Sequence, residues 1–267
     1  MTGPIRSPLG ARAPLAGRRF PFLENIIFVD SVDSTNDLGK SVAEKLLADG
    51  TEIGPTALVS RRQRAGRGRR GRRWISPDDT SLAVSLLLPW PAGPERVRVP
   101  IRLGVSLARG LSARFRLDVR LKWPNDLLVG RKKLGGILVE ARASDEEGYA
   151  VAGIGLNVAA SRERLDAAGL RDAVSLAVAG VPAGLLEGEA PLIALLESVD
   201  QGLTCRDVDL AAAFDAVSAH RKGEALTVSD AGRETTGAYL GVTEDGFLRL
   251  GTASGVETLV SGEIGSF

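Results

Sequence analysis

One cysteine, Cys205, and one histidine, His220, are all that 267 residues contain of either type. A single thiol excludes an internal disulfide framework and suits a reducing compartment. So little thiol and imidazole leaves almost no material for a His/Cys metal site or a Cys–His nucleophilic pair. His220 alone reads as a surface or packing residue. No apolar run approaches the roughly 18 residues needed to span a bilayer. The opening MTGPIRSPLGARAPLAGRRF also lacks the apolar centre of a signal peptide. Residues 1–22 scatter Arg6, Arg12, Arg18 and Arg19 among prolines and glycines and read as a flexible lead-in. The expected location is cytoplasmic. Whatever chemistry occurs falls to carboxylates, lysines, arginines and backbone amides.

Net charge is nearly absent as well, at +1. Against that balance, Arg61 to Arg73 (RRQRAGRGRRGRR) packs eight arginines and three glycines into one stretch. Without those eight arginines the chain has 26 basic side chains against 33 acidic, a net of −7. A general nucleic-acid binder spreads positive charge over a face or a fold. One basic loop on an otherwise acidic protein favours a local anion site.

With 44% hydrophobic residues the chain can bury a core, expected as one main domain with a small appendix. Short apolar runs predict strands at Ile26–Val29, Thr56–Ser60, Ser81–Leu88, Val119–Trp123, Leu127–Val129, Leu134–Ala141 and Tyr149–Val158. Ser34 opens a helix carrying Leu38, Val42 and Leu46 at helical spacing, stopped by Gly50. Val97–Phe115 predicts a second helix, and the Ala/Leu-rich region after it predicts three more at 162–169, 190–203 and 206–219. Beyond Lys222 the pattern returns to short strands separated by Gly/Asp turns, as in a small β-barrel. The expected organisation is a lead-in over 1–22, a main domain over 23–220 and a C-terminal domain over 221–267. Strands interrupted by helices and hairpins point to an α+β fold.

Three segments carry chemistry. In Ala65–Trp74 (AGRGRRGRRW), Gly66, Gly68 and Gly71 let the backbone turn and approach a ligand. The interleaved guanidiniums suit phosphate or carboxylate oxygens, and no Walker A pattern is present. In LKWPNDLLVGRKKLGGILVEA (Leu121–Ala141), Pro124 breaks the strand and Asn125-Asp126 form a turn beside Lys122; Lys133 then precedes Gly135 and Gly136. On residue types alone that segment is as well read as a hairpin with solvated lysines. GIGLNV (Gly153–Val158) ends a strand with two glycines and Asn157, and a glycine in a strand is often only a bulge or a packing accommodation. Taken together, a carboxylate, lysines and an arginine loop are parts for chemistry on a nucleotide phosphate.

In this order, SVDSTND, GRGRRGR, KWPNDLLV, KLGGILVE, GIGLNV and the late SGEI resemble the biotin–protein ligases (biotin–[acetyl-CoA-carboxylase] ligases). The resemblance runs over about residues 26–160, weakens over the helices and returns at Ser261–Ile264. It implies a class II synthetase-like mixed-sheet catalytic domain followed by a small SH3-like C-terminal domain. It also implies a two-step reaction. Biotin and MgATP give biotinyl-5′-AMP and pyrophosphate, and the acyl group then passes to a lysine of a biotin carboxyl carrier protein. By the same resemblance Lys133, Arg69 and Asp126 are catalytic. Ser34, Thr35, Gln63, Gly66, Arg67, Gly68, Arg69, Lys133, Gly135, Gly136, Leu138 and Gly153 would hold biotin. Arg69, Arg72, Trp74, Lys122, Asn125, Asp126, Lys133 and Asn157 would serve ATP, with Mg²⁺ carried on the phosphates and touched at most by Asp126.

Trp123 borders the ligand or packs in the core. Because residues 1–25 leave no room for a winged helix–turn–helix before the first strand, a monofunctional ligase without operator binding is expected, as monomer or homodimer. The related lipoate ligases and octanoyltransferases fit less well: the former carry a different glycine-rich loop, and the latter use a cysteine where this chain has none among its motifs.

Overall fold

The computed structural model describes residues 15, 18–77, 80–90, 95–142, 148–204 and 209–265. Cys205, Phe267 and most of the expected lead-in lie outside the described residues. The last residues of that lead-in are packed: Phe20 is buried, and the Phe22 backbone N–H donates to Asp200 at 2.7 Å.

The main sheet is built from β1 (Asn25–Val32), β2 (Thr56–Gln63), β3 (Ser81–Pro89), β4 (Val119–Lys122), β5 (Asp126–Val129), β6 (Lys132–Arg142) and β7 (Tyr149–Asn157), in the order β1-β2-β3-β7-β6-β5-β4. Only β1 and β2 pair in parallel; every other neighbouring pair is antiparallel. The helices are α1 (Thr35–Ala48), α2 (Glu95–Phe115), α3 (Arg162–Ala167), α4 (Ala190–Thr204) and α5 (Leu210–Val217). A second, antiparallel sheet contains β8 (Ala225–Asp230), β9 (Arg233–Val242), β10 (Leu248–Thr252), β11 (Gly255–Leu259) and β12 (Glu263–Ile264). The fold is therefore α+β, with a large mixed sheet and a smaller C-terminal sheet.

Alternation along the central strands sorts the core onto two faces. Leu82, Val84, Leu86 and Leu88 of β3 and Ala150, Ala152, Ile154 and Leu156 of β7 join one cluster with Leu103, Leu107 and Leu111 of α2 and Leu195, Leu196 and Val199 of α4. The intervening Leu87, Tyr149 and Val151 join Leu58, Ala43 and Ile53 under α1. Strand β3 is thus covered on both faces, which explains why it reads as a nearly continuous apolar run. Leu226, Val228, Tyr239, Leu248 and Leu250 of the second sheet belong to the larger cluster, so the buried core is continuous into the C-terminal strands.

The helix after α4 starts later than its composition suggests, because Asp209 caps it by accepting from the Ala212 N–H at 2.8 Å. His220 is buried, with Nδ1 3.0 Å from Glu224, in a packing role.

Candidate functional site

Helix α1 covers only part of its face of the sheet. Past its N-terminus the strands carry small residues where large ones would otherwise pack. Two rungs of the ladder form the floor of a cleft there. One runs Ser85–Gly153–Leu138 across β3, β7 and β6. The next runs Ala83–Gly155–Gly136–Asp126–Lys122 and reaches β5 and β4. The cleft above them has a volume of about 970 Å³, counting the space open to solvent.

Missing Cβ atoms decide what lies over this floor. A Cβ on Gly136 would sit 3.2 Å from the Lys133 Cε, so the lysine arm lies across that glycine. Its Nζ then reaches the Asp126 carboxylate at 2.7 Å. A Cβ on Gly155 would come within 2.5 Å of the Trp74 indole, which rests on the bare backbone. Gly153 leaves room for Asn36, whose Oδ1 would be 2.2 Å from a Cβ there.

At one end of the cleft the first turn of α1 supplies polar groups. Ser34 occupies the cap position but makes no capping bond with its hydroxyl; the Thr35 N–H is satisfied instead by Gln63 Oε1 at 2.8 Å. Ser34, Thr35 and Asn36 are all buried. At the other end stand Lys122, Lys133, Arg69 and Arg72.

The arginine stretch is ordered and folds over the opening. Its base is fastened where Arg67 bridges Arg73 and the Trp74 N–H donates to the Gly66 carbonyl at 2.9 Å. Arg67 bonds Asp37 at 2.5 Å and Glu140 at 2.8 Å. Arg69 donates to Asn125 and to the Gly262 carbonyl, each at 3.3 Å. Arg70 pairs with Asp230 at 2.6 Å, and Arg72 pairs with Glu263. The loop is therefore held from one side by α1 and β6 and from the other by the C-terminal sheet. These ion pairs are partly exposed, and such pairs contribute about 0–1 kcal/mol each. They hold the loop without preventing a charged ligand from displacing them.

Electrostatics follow the same division. Burial lowers the Lys122 ammonium, as it does the Arg69 guanidinium, which also lies beside Arg70. Both cations are thus partly stripped of water beside the floor, which strengthens their attraction for an anion. The hydrogen bond from Arg72 holds the Glu263 carboxyl below its ordinary value. Burial opposes ionisation of Asp37, yet Lys40 and Arg67 bring its carboxyl below the usual carboxylate range.

Most residues singled out from the sequence meet in this cleft: Ser34, Thr35, Gln63, Arg67, Gly68, Arg69, Arg72, Trp74, Lys122, Trp123, Asn125, Asp126, Lys133, Gly136, Leu138 and Gly153 all line it. Three stand apart. Gly66 holds the base of the loop, since a Cβ there would meet the Trp74 carbonyl at 2.6 Å. Gly135 faces away from the lining, toward the Gly155 carbonyl. Asn157 is buried behind the wall, its amide donating to the Lys133 and Val174 carbonyls. Arg70 and Arg73, two of the guanidiniums of the basic loop, line the cleft as well, as the sequence implies; sequence reasoning missed Asn36, Ala83, Pro124, Ile137, Ile154, Gly155, Glu263 and Ile264. The period of two was the available signal for Ala83 and Gly155, which share one rung with Gly136.

Among the described residues no group of three or more His, Cys, Asp and Glu side chains is placed to hold a metal ion. In the cleft Asp126 and Glu263 are each paired with a cation. Among the described residues no helix is long and apolar enough to cross a membrane.

Residues 28–157 match the model of the biotin/lipoate A/B protein ligase family. The chain is 35% identical over 145 residues to the bifunctional ligase/repressor BirA of Salmonella typhimurium, covering 53% of this chain and 43% of that protein. It is 35% identical over 147 residues to the biotin–[acetyl-CoA-carboxylase] ligase of Mycobacterium tuberculosis, covering 51% and 50%. The chain thus spans about half the length of the curated relatives it matches. The structure of biotin protein ligase from Aquifex aeolicus in complex with biotin and ATP superposes with a TM-score of 0.68 at 26% identity, covering 91% of this chain and 98% of that one.

Proposed function

We propose that this chain, whose residues 28–157 match the model of the biotin/lipoate A/B protein ligase family, is an ATP-dependent biotin–protein ligase. The observation that carries this reading is the position of Lys133. Its arm lies over Gly136 on the floor of the cleft, at the cationic end with Lys122, Arg69 and Arg72, in the same cleft as Thr35 and Gln63. A carboxylate brought to an α-phosphate there would have both anions beside one ammonium, offsetting a repulsion that otherwise opposes attack.

In the first step a biotin carboxylate oxygen bonds to the α-phosphorus of MgATP, the bond to the β-phosphate oxygen breaks, and pyrophosphate leaves. Mg²⁺ enters with the nucleotide as part of the substrate. Lys133 exchanges Asp126 for the reacting oxygens, while Lys122 and Arg72 meet the phosphates. Arg69 and Arg67 close over the mixed anhydride, and the loop shields it from water. In the second step the ε-amine of a carrier-protein lysine attacks the acyl carbon and AMP leaves. Asp126, freed from Lys133, takes the amine's proton. Ser34, Thr35 and Gln63 address the ureido ring, and Leu138 and Gly153 lie under it.

The experiment combines the protein with biotin, MgATP and a biotin carboxyl carrier domain, and follows the carrier by mass spectrometry. One biotinyl addition on one lysine is expected. No addition, or equal addition of lipoate, contradicts the proposal.

A further inference from the structure

Glu140 belongs to none of the roles above, yet its two carboxylate oxygens serve both halves of the site. On β6, Gly136, Leu138 and Glu140 share one face by alternation. Glu140 Oε2 accepts from Asn36 Nδ2 at 2.9 Å. Its Oε1 accepts from Arg67 Nη2 at 2.8 Å and from Lys40 Nζ at 3.2 Å. We propose that Glu140 is a positioning residue that sets the hydrogen-bond sense of the buried biotin pocket and ties that pocket to the arginine loop. This rests on the biotin-ligase reading.

Counting protons gives the direction of the chain. Asn36 Nδ2 spends its two protons on Glu140 and on the Leu138 carbonyl, at 2.9 and 3.2 Å. The amide is thereby fixed, and its Oδ1 must accept. Among the described residues the hydroxyl bonded to it is Ser85, at 2.7 Å. Ser85 has one proton, shared between Asn36 Oδ1 and the Thr35 hydroxyl oxygen, each at 2.7 Å. The Thr35 hydroxyl in turn donates to Gln63 Oε1 at 3.1 Å. Gln63 is thereby fixed, because its Oε1 accepts both the Thr35 N–H and the Thr35 hydroxyl and its Nε2 is left as the donor end. The pocket therefore offers a remaining lone pair on Thr35 and N–H donors on Gln63. That is a pattern for a ligand carrying both N–H groups and a carbonyl, as a cyclic urea does. A carboxylate at position 140 maintains this sense because it can only accept.

The loop side needs the same property. Arg67 and Lys40 present only donors to Glu140. Glutamine at 140 offers one acceptor to two faces that each require one, so one face must fail. Aspartate keeps two acceptors on a shorter arm.

The test measures biotin affinity without ATP, and trypsin cleavage within Arg61–Arg73 with and without saturating biotin. In the wild type, biotin should bind and suppress cleavage. Glu140→Gln should weaken biotin about tenfold, or leave the loop cleavable at saturating biotin, or both; Glu140→Asp should recover part of each loss. Ser85→Ala interrupts the chain without touching the loop. It should weaken biotin about tenfold and leave protection at saturation intact, a split that simple destabilisation would not produce. Wild-type affinity and protection in Glu140→Gln overturn the proposal. If Glu140→Gln does not fold, unchanged affinity in Ser85→Ala overturns it. A wild type that binds no biotin sinks the ligase reading instead, so the two failures are distinguishable.

Discussion

Gly66→Ala is the substitution that most sharply separates a fastened loop from a merely basic one. A Cβ at Gly66 would lie 2.6 Å from the Trp74 carbonyl, a backbone atom that no rotamer change can move aside. Ordinary contact begins near 3.4 Å, so the two strands of the loop's base must part by about 0.8 Å. The same two residues share the Trp74 N–H to Gly66 carbonyl bond, which that shift strains. Overpacking of this kind costs about 1–3 kcal/mol. If closure is needed for adenylate formation, the rate should fall roughly 5- to 150-fold, at tenfold per ~1.4 kcal/mol. Gly68→Ala supplies the internal control. Its Cβ would lie 3.3 Å from the Arg72 carbonyl, a misfit of a few tenths of an ångström, expected to cost less than about 0.5 kcal/mol, or about twofold. Both variants keep all eight arginines, so charge is constant. The assay is kcat/KM for ATP in biotin-dependent ATP–pyrophosphate exchange, with trypsin cleavage of the loop in parallel. Equal effects from the two alanines, or none from Gly66→Ala, would refute the idea that the base of the loop sets its closure.

Removing the Lys133 ammonium in Lys133→Met should lower the exchange rate by about 10²-fold or more while circular dichroism stays native, because a preorganised cation is lost from the reacting oxygens. The Arg72–Glu263 contact should survive from neutral pH into mild acid. The Glu263 carboxyl is lowered in the fold, so its contribution is present above its unfolded value of 4.5 and is lost as pH falls through the lower folded value. The hydrogen bond to Glu263 raises the Arg72 guanidinium above its ordinary value, so it stays charged throughout that range. A carboxyl NMR titration should give a Glu263 midpoint below 4.5 that moves upward in Arg72→Gln; an unchanged midpoint would show that the pair does not form in solution. In the core, Leu86 is fully buried between α2 and the sheet. Leu86→Ala should cost about 2–5 kcal/mol in urea unfolding, and a loss under 1 kcal/mol would contradict the packing described.

Local pattern made much of this molecule legible. The run of β3, the helical spacing of Leu38, Val42 and Leu46, and the Gly/Asp-punctuated strands after Lys222 are short-range signals, and each element formed within a few residues of its expected bounds. Motif residues also met in one cleft, because KWPND and KLGGIL lie on the adjacent strands β4, β5 and β6 while the GRGRRGR loop that follows β2 reaches over to them. Pairing across the sheet was not legible. That Gly155 admits Trp74, that Gly153 admits Asn36, and that Asn157 turns into the wall depend on register between distant strands. The hold of Glu263 and Asp230 on the loop joins residues more than 150 positions apart, and nothing in the local sequence marks them as partners.

The most direct test of the central claim is isotope exchange between pyrophosphate and ATP by the purified protein. It is run with biotin, with lipoate and with neither. Exchange that depends on biotin, is absent with lipoate and disappears in Lys133→Met is predicted. Exchange supported by lipoate but not by biotin, or exchange that persists without Lys133, would contradict the assignment of this cleft.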